Sequence, residues 1–165
     1  MTAGRPLVIA LAALALSGCD PLGLTRYENR QFAYGIGYPS ADLVAGPVDP
    51  DGSGRTFSSR DGRVRARVWS RPAAGRDDGD EADDIERGCD GQEAASRRLN
   101  EGHLVIECLV GGQNVFHMAL VRPDRVVAFR MTYPAGPEAR RWRTTAVNMG
   151  HSMFAQAEAP SAMTP

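Results

Sequence analysis

The arrangement in this chain best suited to moving a proton is a histidine flanked by a carboxylate and a guanidinium. Three apolar runs, residues 104–110, 115–121 and 126–133, read as consecutive strands. Bringing their large apolar faces together sets Cys108 opposite Phe116 and Met118 opposite Phe129. Glu107 then falls opposite His117, and His117 opposite Arg130, side by side on the face away from the main core. A carboxylate beside an imidazole orients it and raises its basicity, which is how a general base is built. The same row, read as a plain cross-strand cluster, steadies the sheet by roughly 0.2–1 kcal/mol per pair. No nucleophile can be assigned beside it and the chain contains no GxSxG turn, so the row is expected to be structural. A small hydrolase using His117 and Glu107 is the catalytic alternative.

Metal chemistry finds little support. Neither the cysteines nor the three histidines show CxxC or HxxxH spacing. In the register above, His117 and Cys108 lie on opposite faces, so zinc is not expected. Asp49-Pro50-Asp51-Gly52-Ser53-Gly54 imitates the first half of a calcium loop, but Arg60 stands at the twelfth position, where a bidentate glutamate is needed. Asp77, Asp78, Asp80, Glu81, Asp83, Asp84 and Glu86 form an acidic run suited to a solvated helix start. A basic partner or divalent cations are its other possible clients, and a cation-binding protein is a third reading of the chain. No cofactor is implied.

Two sets of residues bear on partners. Arg63, Arg65 and Arg67 alternate along one strand face and could dock an acidic partner. Arginines of this kind also keep an edge strand from aggregating. Trp69 and Trp142 are expected to pack in a core or interface. At the other end of the chain, Arg5 is followed by the apolar residues 7–16 and then by Leu16-Ser17-Gly18-Cys19. A basic start, about ten apolar residues and small residues at a cut describe a signal peptide, and the run is too short to span a bilayer, which takes about 20 residues. The tetrad resembles the bacterial lipoprotein box, in which the cysteine is acylated and becomes the first mature residue. That resemblance implies palmitate-type acylation at Cys19. Asp20 resembles an inner-membrane retention signal, so the expected place is the periplasmic face of the cytoplasmic membrane, with the outer membrane as the alternative.

Removal of residues 1–18 from the 165 leaves about 147, enough for one domain burying about two-thirds of its unfolded surface. The formal net charge of −1 argues against nucleic acid as a partner. All 19 cationic residues other than histidine are arginine, which we read as the codon bias of a GC-rich genome. With Cys19 lipidated, Cys89 and Cys108 remain in an oxidising compartment and are expected to form a disulfide.

These groups must be positioned by a domain that reads mostly as strands. Residues 19–29 are expected to be a polar tether, 30–154 the domain and 155–165 a disordered tail. Phe32, Tyr34, Ile36 and Tyr38 alternate with small residues until Pro39. Segments 56–60 and 63–69 flank Asp61-Gly62, a hairpin dipeptide that sets Phe57 against Ala66. Segment 76–88 reads as a short helix with acids near its start, and 94–99 as a strand of ambiguous pairing. The last three strands have expected loops of three residues (111–113) and four (122–125). Both faces of this sheet are largely apolar, so both need cover. A helix starting at Pro137 carries Trp142, Ala146, Met149 and Met153 on one side. Segment 76–88 with the region 40–54 is the other expected cover.

This order of elements resembles the PsbP-like superfamily, which includes photosystem II extrinsic proteins, a Ran-binding transport factor and bacterial lipoproteins. The matching residues are Phe32 to Tyr38-Pro39, Asp51-Gly52-Ser53-Gly54-Arg55-Thr56-Phe57 leading to Asp61-Gly62, and the Gly111-Gly112 hairpin. Met131-Thr132-Tyr133-Pro134 and a last helix ending near His151-Ser152-Met153-Phe154 complete them. The resemblance implies an α+β fold, an antiparallel sheet between helices (an α/β/α sandwich), and a docking or assembly role more often than catalysis. No metal or partner site of the family carries over, because no such motif is intact. The expected function is therefore a lipid-anchored, non-catalytic accessory protein of the cell envelope that binds a protein or envelope component.

The anchor is directly testable. Cys19→Ser should leave an unprocessed or mislocalised precursor that takes up no radiolabelled palmitate. Equal labelling of variant and wild type would refute the lipoprotein reading.

Overall fold

A computed structural model describes residues 23–89, 96–100 and 103–155, with side chains described for all but 96–100. Cys19, the signal-like segment and the tail beyond residue 155 lie outside the described residues. Among the described residues, two antiparallel sheets and two helices make up the fold. The larger sheet has the order β3-β4-β5-β9-β8-β7-β6. Its strands are β3 (Leu43–Val48), β4 (Gly54–Ser59), β5 (Arg65–Pro72), β6 (Ser96–Asn100), β7 (His103–Val110), β8 (Gln113–Val121) and β9 (Arg125–Pro134). A small sheet of order β1-β2-β10 joins β1 (Thr25–Asn29), β2 (Tyr34–Tyr38) and β10 (Phe154–Ala155).

The polar stretch expected as a tether is thus already folded from Thr25. Tyr27 and Asn29 turn inward, Tyr27 against Phe57 and Asn29 onto the Gly52 carbonyl at 2.7 Å. The domain correspondingly begins five residues earlier than its composition suggested, and Ala155, expected in the tail, pairs with Tyr34. The region 40–54 is corrected too. Instead of covering the sheet, it supplies the edge strand β3, whose exposed Val44 and Val48 flank a register shift and Pro47. A bulge and a proline are common devices for keeping an edge from recruiting another strand.

Register decides what each face carries. Phe57 opposes Ala66, and Met118 opposes Phe129, as the pattern predicts. The β7–β8 hairpin differs. Gly111 and Gly112 have φ of +55° and +77°, the left-handed pair of a two-residue primed turn. Val110 therefore pairs with Gln113, which slides the register one residue from the three-residue loop expected. Cys108 faces Val115, Glu107 faces Phe116 and Ile106 faces His117.

Apolar residues consequently separate into two cores. Phe116, Met118, Leu120, Val127, Phe129, Met131 and Tyr133 pack with Phe57, Val68 and helix α2 (Ala139–Ser152). From α2 come Trp142, Ala146 and Met149, close to one turn apart, and Gly150, where an added Cβ would lie 2.7 Å from the Met118 sulfur. The second core sets Ala82 and Ile85 of α1 (Asp78–Arg87) with Leu104, Ile106, Cys108, Val115 and Ala119. Asp77 caps α1, accepting from the Asp80 amide at 2.9 Å, while the Asp80 carboxylate accepts from the Asp77 amide.

Cys89, one residue beyond the Gly88 cap of α1, is joined to Cys108 of β7 with Cα atoms 6.1 Å apart. The helix is thereby tied to the strand beneath it. Closing this loop is worth about 3 kcal/mol on a chain-entropy account. Thiol alkylation of the denatured, unreduced protein should modify neither residue, and Cys89→Ser/Cys108→Ser should lower the urea-derived stability by about that amount. Alkylation of both thiols in the wild type would overturn the pairing.

Candidate functional site

The register assembles a row across five strands: Thr56, Arg67, Arg130, His117 and Ile106 in order from β4 to β7. Beside it runs a second row, Ser58, Arg65, Thr132, Val115 and Cys108. Helix α1 lies over the β7–β8 end of both rows and leaves the β4–β5–β9 end uncovered. Between the helix and the uncovered part is a groove of about 550 Å³. Ile85, Ile106, Val115 and the Cys89–Cys108 bridge form its apolar wall, and Arg65, Arg67, Arg71 and Arg130 its cationic side.

The positive charges of the groove differ in how they are satisfied. Arg71 is paired with the buried Glu81 of α1, and Arg76 with Asp84, which also meets Arg87. These pairs hold α1 to the sheet and its connection. Arg67 donates to Asp49 at 2.7 Å and lies 5.0 Å from the Trp69 ring centroid. Arg65 and Arg130 have no carboxylate partner among the described residues, and the Arg130 Nε is buried without a hydrogen bond.

His117 is only 7% exposed, and its Nε2 is likewise buried without a partner. Its ring stands edge-on to Trp69, centroids 5.6 Å apart. Burial, with Arg130 and Arg71 adding their positive charge, pushes the imidazole down to about 3. It is neutral at any ordinary pH, and the shift runs opposite to the one a neighbouring carboxylate would cause.

That carboxylate is elsewhere. The expected Glu107–His117 pairing is corrected by the two-residue turn, which rotates Glu107 onto the α2 face. There both its oxygens accept from Arg143 of α2 at 2.6 Å. His117 and Arg130 remain neighbours as expected. Cys108 joins them on the same face rather than the opposite one, but its sulfur is committed to Cys89.

The other candidates are similarly placed. Arg63 precedes β5, bound to Asp61 at 2.6 Å and 3.8 Å from Glu138. Arg65 and Arg67 sit inside the sheet between β4 and β9, so their strand is not the edge that an anti-aggregation role needs. In the calcium-like loop, Asp49 is engaged by Arg67, and Asp51 accepts from the Ser53 amide and hydroxyl at 2.9 and 2.7 Å. The acidic run caps α1 and supplies its ion pairs. No grouping of three or more metal-ligating side chains occurs among the described residues. Arg71 and Thr132 were missed as groove residues. They are brought to the groove by the pairing of β5 with β9, strands distant in sequence whose register no local turn sets.

No protein-family model matches the chain, and no curated protein matches it. Solved structures do. Cyanobacterial PsbP (CyanoP) from Synechocystis sp. PCC 6803 superimposes with a TM-score of 0.58 at 16% identity, covering 86% of this chain and 99% of that one. A protein from Bacteroides thetaiotaomicron VPI-5482 gives 0.53 at 14% identity, covering 81% of this chain and 48% of that longer one. The fold is therefore PsbP-like, a mixed α+β architecture built on antiparallel sheet.

A depressed histidine has a definite signature in stability. The unfolded chain takes up the His117 proton near pH 6.5, the folded one only near 3. Its contribution is thus complete above pH 6.5 and is lost as the pH falls toward 3, by at most ~1.4 kcal/mol per unit. Between pH 6.5 and 4.5 it should remove about 2–3 kcal/mol from the urea-derived stability, and His117→Gln should abolish that component. Parallel acid profiles for the two proteins would contradict the burial assigned to His117.

Proposed function

We propose that this chain is a lipid-anchored accessory domain of the cell envelope that docks an acidic protein or envelope component through its arginine face. It performs no catalysis in this reading, and the domain is a helix-covered PsbP-like sandwich used as a docking module. The observation that carries the proposal is the pair Arg65 and Arg130. Both face a groove from inside the sheet, and neither has a carboxylate partner among the described residues. A chain with 20 acidic side chains had ample means to pair them internally. Unpaired guanidiniums offer planar forks that match carboxylates on another molecule.

The anchor part of the proposal rests on Leu16-Ser17-Gly18-Cys19, and the periplasmic face of the cytoplasmic membrane on Asp20. Several acyl chains, as on a mature bacterial lipoprotein, hold stably where one chain holds marginally. The hydrolase alternative loses its orienting carboxylate to Arg143, and the cation-binding alternative loses Asp49 and Asp84 to arginines.

Reversal of Arg63, Arg65 and Arg67 together to glutamate should abolish partner capture by proximity crosslinking in the native cells and fail to complement a deletion. Circular dichroism should remain that of the folded domain, because exposed ion pairs contribute little stability. Arg140→Glu, a single reversal on the exposed side of α2, should leave capture intact. Undiminished capture by the triple variant would refute this docking face.

A further inference from the structure

The groove under α1 has features that a docking face does not need. Its volume of about 550 Å³ is that of a small-molecule site, and such sites combine apolar walls with a few convergent polar groups. Here the wall is Ile85, Ile106 and Val115 with the Cys89–Cys108 bridge, and the Trp69 ring also lines the groove. The convergent groups are Arg65, Arg130 and His117. Two of their nitrogens, Arg130 Nε and His117 Nε2, are buried and unpartnered. A buried donor left without an acceptor costs about 1–3 kcal/mol, so an occupant that supplies one is favoured.

We propose that this groove binds an organic carboxylate carrying a compact apolar body. Arg130 Nε can only donate, and the guanidinium of Arg65 can only donate, so the matching group is an acceptor and, beside two cations, an anion. His117 Nε2, neutral, either donates to the same group or accepts from a hydroxyl beside it. The apolar wall takes the body of the ligand, which a bare inorganic anion lacks. Thr132, next to Arg65 and Val115 in its row, adds a hydroxyl at the same end. The neighbouring hollow toward the β7–β8 turn shares Arg65, Arg130 and Thr132, so the ligand's charged end has access from solvent.

The pocket goes beyond the docking reading, and its test does not involve the docking partner. Calorimetric titration of the disulfide-bonded protein with 2-naphthoate should show saturable one-to-one binding. The uncharged isostere 2-naphthalenemethanol should bind at least tenfold more weakly, and inorganic phosphate should not displace naphthoate at equal concentration. Arg130→Gln should weaken naphthoate at least tenfold. Arg65→Gln, an exposed change that leaves folding intact, should do the same. Several outcomes would each overturn the proposal: no binding of naphthoate at millimolar concentration, equal binding of the alcohol, full displacement by phosphate, or wild-type affinity in the Arg65→Gln protein. Partner capture by crosslinking is read separately, so loss of the pocket and loss of the docking face are distinguishable.

Discussion

The two-residue turn at Gly111-Gly112 is the constraint on which the arrangement of this domain depends. Only residues that tolerate positive φ can make it, and two consecutive glycines do so without strain. Once made, the turn pairs Val110 with Gln113 and fixes the parity of every residue along β7. Ile106 and Cys108 then face α1, while Glu107 faces α2. A loop longer by one residue would exchange the faces. Cys108 would turn away from Cys89, and Glu107 would stand beside His117. One turn therefore decides both the disulfide and the chemistry open to the histidine.

The groove follows from a mismatch of dimensions. Seven strands at ~4.8 Å spacing span roughly 29 Å. Helix α1, with ten residues, is only about 15 Å long and about 10 Å across. It can shield the β7–β8 end of one face and no more. The rest of that face must be compatible with water, and the exposed Arg65 and Arg67 of β5 make it so. At the boundary between covered and uncovered strands, His117 Nε2 and Arg130 Nε are too deep to be solvated and have no hydrogen-bond partner. The opposite face is covered differently. There α2 and the small sheet bring Trp142, Met149, Tyr34 and Ile36 over the large side chains of β8 and β9.

Much of this was legible in the sequence where a local rule applied. The Phe57–Ala66 register followed from Asp61-Gly62, α1 from its acids and Ile85, and α2 from the spacing of Trp142, Ala146 and Met149. The β8–β9 pairing followed from matched large apolar residues, since both strands bury Met118 and Phe129 against one helix. The same rule failed one hairpin earlier. It assumes that the largest residues share a core, whereas Ile106 and Leu104 belong to the second, smaller core under α1. Strands β1 and β3 were missed because β1 is mostly polar and held by contacts distant in sequence, such as Asn29 on Gly52 and Tyr27 against Phe57, and β3 is broken by Gly46 and Pro47. No window of the chain contains those contacts. The PsbP-like resemblance reached the fold by a different route, through the order of elements, and was insensitive to the slip in register.

The composition of the groove argues about its chemistry independently of any partner. A buried lysine can shed its proton and become a neutral base; a guanidinium cannot. With four arginines lining the groove, the positive charge there is fixed, and His117 is the group that gives way. It stays neutral because burial and the charges of Arg130 and Arg71 make its protonation costly. Near neutral pH the site then holds cations that do not release protons and an imidazole that does not accept one. General acid–base catalysis works best with a group poised near the ambient pH, and this histidine lies several units away. An anion entering the groove would offset the smaller, Coulombic part of the cost of protonating His117, while burial, the larger part, would remain. Electrostatics of this form suit recognition of a negative group.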